Sequence, residues 1–206
     1  MKRDNLLTII TRIAEVMAEQ KQYLTELDNA IGDSDHGINM DRGFAAVMTR
    51  MPDYAAMEVD EILKDVGKQL MKVVGGSSGP LYGSAFKKAG AAISGKSEIS
   101  MDDFLVMMDA AIAQIMKLGK SVEGEKTMLD AICPAQAAMK KVYAERSDYK
   151  KALASGAEAA RAGVEFTRTI VATKGRASYL GERSLGHQDP GATSFMFMME
   201  VIAELA

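Results

Sequence analysis

Residues 6–31, LLTIITRIAEVMAEQKQYLTELDNAI, decide the fold of this chain. Their apolar residues recur at steps of three and four, in the order Leu6, Ile10, Ile13, Met17, Leu24, Leu27 and Ile31. This spacing places the apolar side chains along one face of a helix, whereas a strand would need strict alternation. The stretch therefore predicts a long amphipathic helix at the start of the chain.

Similar stripes predict further helices at about residues 39–51, 59–74, 80–94, 101–118, 128–145, 149–173 and 190–205. Pro80 and Pro190 stand at or near the first turn of two of them, where a missing N–H costs nothing. The β-branched run in 166–173 has a strand-like composition, but it continues an alanine-rich helical pattern. We therefore predict an all-α chain, a bundle of about eight helices in a single domain over residues 1–206.

Composition and charge exclude several classes of protein. A hydrophobic fraction of 48% and a net charge of −3 are typical of a globular domain and exclude a simple basic nucleic-acid binder. The single cysteine, Cys133, excludes an internal disulfide framework and a cysteine-only zinc site. The opening apolar run is interrupted at Arg12 and Glu15, unlike a secretory signal. We expect a cytoplasmic protein without a membrane span.

The motif GDSDHGIN at residues 32–39 predicts a metal site. Asp33 and Asp35 lie two apart in a glycine-flanked turn, and Asp28 precedes them on the opening helix. Three converging carboxylates without a basic neighbour in the local sequence would repel one another unless a cation lay between them, and oxygen ligands favour Mg²⁺ or Ca²⁺. The Ca²⁺ loop of EF-hands does not match, so Mg²⁺ is preferred. The alternative is a turn between helices in which the aspartates only cap or shape the backbone.

Glycine-rich segments elsewhere suggest sites for an anionic ligand. GGSSGPLYG at 75–83 opens a helix with small residues that let backbone N–H groups approach a phosphate. GRASYLGERS at 175–184 supplies arginines, and in GHQDPGATS at 186–194 Asp189 is also a natural N-cap with Pro190 at the first helical position. In GEKTMLD at 124–130, Met128 could flank a base, and each segment could equally be an ordinary turn or core.

In their order along the chain, these five motifs resemble the nucleotide-binding L subunits of dihydroxyacetone kinases, and the resemblance spans about residues 25–200. It implies a barrel-like bundle of eight antiparallel helices, with the nucleotide in loops at one end and two Mg²⁺ ions between carboxylates and phosphates. Asp28, Asp33 and Asp35 would be the metal ligands and, with Arg176, the catalytic residues. The nucleotide would contact His36, Gly37, Ile38, Asn39, Ser77, Ser78, Gly119, Met128, Arg176, Asp189, Pro190 and Gly191.

The resemblance also implies partners, because the hydroxyketone is held by a separate K subunit. The GERSLGHQDPGATS form at 181–194 resembles the phosphoenolpyruvate-dependent type, in which bound ADP is recharged by a phosphohistidine M subunit. The chain would then be active only with its partners, as a homodimer or a heteromer with K. Three alternatives stay open: an ATP-dependent kinase for another small hydroxyketone or sugar, a fatty-acid kinase, and a nucleotide sensor that binds a transcriptional regulator.

Overall fold

The opening stretch folds as two helices, where the sequence predicts one. In the computed structural model, which describes residues 1–206, α1 spans Arg3–Glu19 and α2 spans Lys21–Ile31. Gln20 has φ −92° and ψ 5°, which leaves the helical region and breaks the helix there. The apolar stripe is buried on both sides of the break, so the predicted inner face is correct.

The rest of the chain is also helical. The helices are α3 (His36–Met48), α4 (Met51–Tyr54), α5 (Val59–Val73), α6 (Ser78–Ala92), α7 (Met101–Gly119), α8 (Leu129–Arg146), α9 (Tyr149–Thr167), a 3₁₀ helix (Arg176–Ser184) and α10 (Pro190–Leu205). No strand forms, and the one isolated β-bridge joins Lys2 to Glu98. The predicted all-α class is confirmed. Short α4 and the 3₁₀ helix are additions that no apolar stripe predicted.

Eight of these helices contact one another in a closed circuit, in the order α1, α3, α5, α6, α7, α8, α9, α10 and back to α1. Forty-one buried residues form one connected core inside this circuit, which also encloses an apolar cavity of about 130 Å³. The arrangement is consistent with the barrel-like bundle that the resemblance implies. No helix is both long enough and apolar enough to cross a membrane.

Alternate connections of the bundle meet at one end. The links α2–α3, α5–α6, α7–α8 and α9–α10 all contribute residues to the wall of a single polar cavity. Because these are every second connection around the circuit, neighbouring helices run in opposite directions. The motifs quoted above lie in these four links, so the fold gathers them at one end of the bundle.

The helix predicted at 149–173 ends early, at Thr167. The Thr167 side chain donates a hydrogen bond to the carbonyl of Val164, and the ammonium group of Lys126 binds the Thr167 carbonyl. These contacts satisfy groups at the end of α9 that a further turn would otherwise have paired. Residues 168–173 are neither helix nor strand. The predicted helical extension over them is wrong because its end is set by a distant lysine.

Candidate active site

The three predicted metal ligands converge in the turn between α2 and α3. One carboxylate oxygen from each of Asp28, Asp33 and Asp35 lies within 4.8 Å of the other two. Asp28 is buried, Asp33 is exposed and Asp35 is intermediate, so the cluster reaches from the protein interior to the solvent. Oxygen donors at this spacing suit a hard divalent cation such as Mg²⁺.

Asp28 also organises the turn that carries the other two carboxylates. Its Oδ2 accepts hydrogen bonds from the amides of Asp35, at 2.8 Å, and His36, at 3.1 Å. These are N–H groups at the start of α3, so the carboxylate helps to begin that helix at His36, three residues before the predicted start. A Cβ at Gly32 would lie only 1.9 Å from Asp28 Oδ1. Glycine is therefore required beside the cluster.

A basic partner reaches the cluster from a distant part of the chain. The Nη2 atom of Arg176, at the start of the 3₁₀ helix, lies 2.8 Å from Asp33 Oδ2. The local sequence offers the carboxylates no basic neighbour, and the folded chain supplies one from the 3₁₀ helix. Arg176 is 62% exposed and Asp33 is 36% exposed, so solvent screens this ion pair and both groups can change partner.

A hydrogen-bond chain links the start of α3, which follows the turn of the acidic cluster at residues 32–35, to the glycine–serine loop at residues 75–78. His36 Nδ1 pairs with Ser78 Oγ at 3.1 Å, and His36 Nε2 pairs with Ser194 Oγ at 2.9 Å. Ser194 pairs in turn with Tyr82, whose hydroxyl donates to the carbonyl of Gly191. Burial lowers the pKa of His36 to about 4, despite opposing effects of Asp28 and Asp35, so the ring is neutral at pH 7.

This hydrogen-bond chain holds three helix starts together around the cavity. α3 begins at His36, α6 at Ser78 and α10 at Pro190, and all three residues line the same wall. A helix N-terminus presents unpaired N–H groups and a partial positive charge. Three of them beside an acidic cluster can accept an anionic ligand together with the cation that neutralises it.

The α7–α8 link forms a further part of the cavity wall. Gly119, the last residue of α7, and buried Met128 flank a loop held by the carboxylate of Asp130. That carboxylate accepts hydrogen bonds from the amides of Gly124, at 2.5 Å, and Thr127, at 2.7 Å. An apolar side chain and a small residue on a rigid loop form a surface on which a flat ring can lie.

Asp189 caps α10, as the sequence predicts. Its Oδ2 accepts from the amide of Ala192 at 2.7 Å, and Pro190 occupies the first turn. Burial, together with the negative charges of Asp130 and Asp28, raises the pKa of the Asp189 carboxyl group to about 7. Hydrogen bonding and the charge of Lys126 oppose this rise only in part.

One cavity of about 230 Å³ brings most of these groups together. Of the predicted site residues, its wall contains Asp28, Asp33, Asp35, His36, Ser77, Ser78, Gly119, Met128, Arg176, Asp189, Pro190 and Gly191. The structure does not bring the other three into the wall. A Cβ at Gly37 would overlap the backbone of α2, and Ile38 is 45% exposed. Asn39 lies beneath the glycine loop, where its Oδ1 accepts from the Gly75 amide.

Several residues of the site were missed by the sequence reasoning. Lys126, Tyr82 and Ser121 line the cavity, and Ser194 completes the hydrogen-bond chain. Lys126, Tyr82 and Ser194 all lie within motifs quoted above, but nothing in the sequence shows which residues their side chains contact. Tyr82 looks like an ordinary apolar helix residue in sequence, and its buried hydroxyl is visible only in the structure.

The fold and the cavity define a helical-bundle protein whose site suits a divalent cation and an anionic ligand with a flat ring. The chain belongs to the DAK2 domain family, which matches residues 30–204. The resemblance stated from the sequence motifs is confirmed.

Two relatives match along nearly their whole length. The ADP-binding subunit DhaL of the PEP-dependent dihydroxyacetone kinase of Escherichia coli (strain K12) is 38% identical over 98% of this chain and 97% of its own. The ADP-binding subunit DhaL of the PTS-dependent dihydroxyacetone kinase of Lactococcus lactis is 39% identical, over 98% of this chain and 97% of its own.

A solved structure shows the same fold. The dihydroxyacetone kinase from C. freundii, crystallised in complex with AMP-PNP and Mg²⁺, superposes with a TM-score of 0.74 and 24% identity. The match covers 96% of this chain and 33% of that one, so the present chain spans about a third of that enzyme. At this identity the similarity concerns the fold.

Proposed function

We propose that this chain is the ADP-binding subunit of a phosphoenolpyruvate-dependent dihydroxyacetone kinase. In this proposal, residues 1–206 form one nucleotide-binding domain that acts in the cytoplasm. The observation that carries the proposal is the convergence of three carboxylates, within 4.8 Å, in the same cavity as the serine-bearing start of α6. A kinase site needs these two elements side by side, because the metal and the phosphates neutralise each other.

The residues of the chain have distinct roles in this proposal. Asp28, Asp33 and Asp35 would hold Mg²⁺, two ions by the family resemblance, and bound Mg²⁺ would neutralise charge that develops on the phosphoryl group. Ser77 and Ser78 would bind phosphate oxygens at the start of α6. Arg176 is the one guanidinium in the cavity wall and would exchange Asp33 for a phosphate oxygen.

Gly119, Met128 and the Asp189–Gly191 turn would enclose the base. Gly37, Ile38 and Asn39 do not line the cavity wall. Gly37 and Ile38 would act through the backbone, and Asn39 would act from beneath the glycine-rich loop, through its hydrogen bond with Gly75. Neutral His36 would hold the start of α3 beside the start of α6 through its hydrogen bond with Ser78. Because the ring is neutral, it would add no charge to the site. Positioning of the reacting groups, together with electrostatic stabilisation, provides most of the rate acceleration in enzymatic phosphoryl transfer.

The acceptor would lie on another chain. The groups that line the polar cavity suit a nucleotide and a metal ion. We therefore assign the dihydroxyacetone site to a separate K subunit. A phosphohistidine M subunit would recharge the bound ADP. The full-length similarity to two subunits of this type favours this assignment over a kinase for another sugar or fatty acid. Docking of a transcriptional regulator, and assembly as a homodimer or with K, stay predictions.

The experiment is a reconstitution with purified subunits. The chain alone, with Mg–ATP and dihydroxyacetone, should form no triose phosphate above background. Addition of a K subunit, an M subunit and a phosphoenolpyruvate-driven phosphate source should restore product formation. Robust turnover by the isolated chain would show that it carries its own acceptor site and would overturn the proposal.

A second measurement decides the energy source. If ADP is a resident cofactor, it should co-purify with the chain at close to one equivalent, and added radiolabelled ATP should exchange with it slowly. Rapid exchange with free ATP, and product formation with ATP in place of the M subunit, would instead identify an ATP-dependent kinase subunit.

A further inference from the structure

Lys126 is the most deeply buried charged residue of the cavity wall, and the proposed function leaves it without a role. It is 1% exposed, and its backbone has the left-handed φ of 61°, which is uncommon for a lysine. A buried ammonium group is costly unless hydrogen bonds replace its water. Burial lowers the pKa of Lys126, although Asp189 and Asp130 oppose that effect.

The ammonium group donates hydrogen bonds to three backbone carbonyls. It donates to Thr167 O, to His187 O and, at 3.4 Å, to Ile170 O. An ammonium group has three donors, so its capacity is filled. Thr167 is the last residue of α9, and the negative end of a helix favours a cation.

The three carbonyls belong to the two chain segments that approach the cavity beside Lys126. Thr167 and Ile170 begin the link from α9 to the 3₁₀ helix, on which Arg176 lies. His187 lies two residues before Asp189. Lys126 itself lies two residues before Met128. One ammonium group therefore joins the walls that carry Met128, Arg176 and Asp189.

Further hydrogen bonds connect this contact to the cavity. The Thr167 hydroxyl accepts from the amide of Asp189 at 3.0 Å, so the end of α9 holds the start of α10. The amide of Thr173 donates to the Glu125 carbonyl at 3.2 Å, beside Lys126. The amide of Gly186 donates to the Arg168 carbonyl at 2.8 Å. Loss of the ammonium group would leave these bonds, and the ion pair between Lys174 and Glu125 at 4.0 Å, to connect the segments.

We propose that Lys126 is a positioning residue, which sets the distance between the wall of Met128 and the segments of Arg176 and Asp189 by holding the carbonyls of Thr167, Ile170 and His187. This inference rests on the proposed nucleotide function for its consequence, and on the hydrogen bonds above for its geometry. Lys126 does not need to touch the ligand. Its removal would loosen one side of the site while the acidic cluster stays intact.

The test compares Lys126→Met with Lys64→Met. Lys64 forms a partly buried ion pair with Asp60 and a hydrogen bond to Ser94, but it lies on α5 and does not line the polar cavity. Both variants should be measured at a temperature where circular dichroism shows them folded. The nucleotide-free readout is hydrogen exchange of the amides of Thr173, Gly186 and Asp189, each normalised to the amides of α1, which contains neither substituted lysine.

We expect these three amides to exchange at least about tenfold faster, relative to α1, in Lys126→Met, and at the wild-type ratio in Lys64→Met. Calorimetry should show at least about tenfold weaker Mg–ADP binding for Lys126→Met, and wild-type binding for Lys64→Met. Wild-type exchange ratios, or Mg–ADP affinity within twofold of wild type, would overturn the positioning role. If the wild-type chain binds no Mg–ADP, the proposed function fails, and the exchange ratios still decide the role of Lys126.

Thr167→Val provides a variant that keeps the buried ammonium group. It removes the hydroxyl that accepts from the amide of Asp189 and donates to the carbonyl of Val164, and valine has a similar shape. We expect faster exchange at Asp189, wild-type ratios at Thr173 and Gly186, and weaker Mg–ADP binding by about three- to tenfold. Unchanged exchange at Asp189 in this variant would contradict the proposed link from α9 to α10.

Discussion

The guanidinium group of Arg176 forms an ion pair with Asp33 at 2.8 Å, so the acidic cluster carries its own basic partner. The two residues are far apart in sequence, and the folded bundle brings the 3₁₀ helix over the metal turn. The same arginine is the group proposed to bind phosphate. It cannot hold Asp33 and a phosphate oxygen at full strength at once, so cation binding at Asp33 and ligand binding at Arg176 are coupled.

This coupling predicts opposite effects of Arg176→Gln on two ligands. Without the guanidinium group, Mn²⁺ alone should bind the cluster about two- to fivefold more tightly, because a screened ion pair contributes up to about 1 kcal/mol. Mg–ADP should bind more weakly, because a charge-assisted hydrogen bond to phosphate is lost. Electron paramagnetic resonance of free Mn²⁺ and calorimetry with Mg–ADP measure the two affinities.

Arg183→Gln is the matched control, since Arg183 lies in the same 3₁₀ helix, is exposed and does not line the cavity. Both affinities should stay at the wild-type level in this variant. A parallel loss of Mn²⁺ and Mg–ADP binding in Arg176→Gln would show that the arginine supports the cluster rather than competing with the metal.

Asp33→Asn and Asp28→Ala should both abolish Mg–ADP retention, but they should differ in stability without ligand. Asp33 is partly exposed, so its removal costs an ion pair of up to about 1 kcal/mol and relieves repulsion among the carboxylates. Asp28 is buried and accepts two amide N–H groups, so Asp28→Ala should cost about 1–3 kcal/mol. Thermal unfolding with and without Mg–ADP separates the two effects.

In Asp33→Asn, the increase in melting temperature that Mg–ADP gives the wild-type chain should vanish. Wild-type retention of Mg–ADP by this variant would refute the assignment of Asp33 as a ligand. Strong destabilisation of its ligand-free form would instead show that Asp33 is a structural residue.

Gly32→Ala tests whether close packing against Asp28 is needed for the cluster. The added Cβ would lie 1.9 Å from Asp28 Oδ1, so the carboxylate or the turn must move. We expect at least about tenfold weaker Mn²⁺ binding, as displacement of one of three ligands would produce. Ala30→Ser, on the exposed side of the same helix end, should bind Mn²⁺ normally. Equal affinities in the two variants would exclude the packing argument.

The sequence predicted the features that depend on local spacing. The stripe from Leu6 to Ile31 predicted the buried face, and the Asp-Pro pair at 189–190 predicted the start of α10. The acidic cluster was also predicted, since its three members lie within eight residues on a helix end and a turn.

What the sequence could not show depends on contacts between distant segments. The ion pair of Arg176, the end of α9 at Thr167 and the role of Lys126 each need two or three segments that only the closed bundle brings together. The packing of Gly37 against α2 is another feature that the sequence could not show. Glycine in a ligand-binding motif suggests close approach to the ligand, whereas here it allows close approach of α2.

The raised pKa of Asp189 predicts a change of stability with pH that Asp189→Asn should remove. The folded-state pKa is about 7 and the ordinary value is 3.8, so the folded chain holds more protons than the unfolded chain between about pH 4 and 7. Stability from this group is therefore lost as the pH rises through that window. Asparagine caps a helix as well as aspartate does and does not ionise.

The melting temperature of Asp189→Asn, relative to wild type, should therefore rise by at least about 2 °C between pH 5 and pH 8. His36, whose pKa of about 4 has the opposite effect on stability, is present in both proteins and cancels in the difference. Asp148→Asn is the control, because Asp148 also caps a helix but its pKa is lowered by hydrogen bonds and the charge of Lys151. Asp148 is ionised throughout this range, so its difference from wild type should stay constant. A constant difference for Asp189→Asn as well would mean that Asp189 ionises normally and that burial does not control its charge.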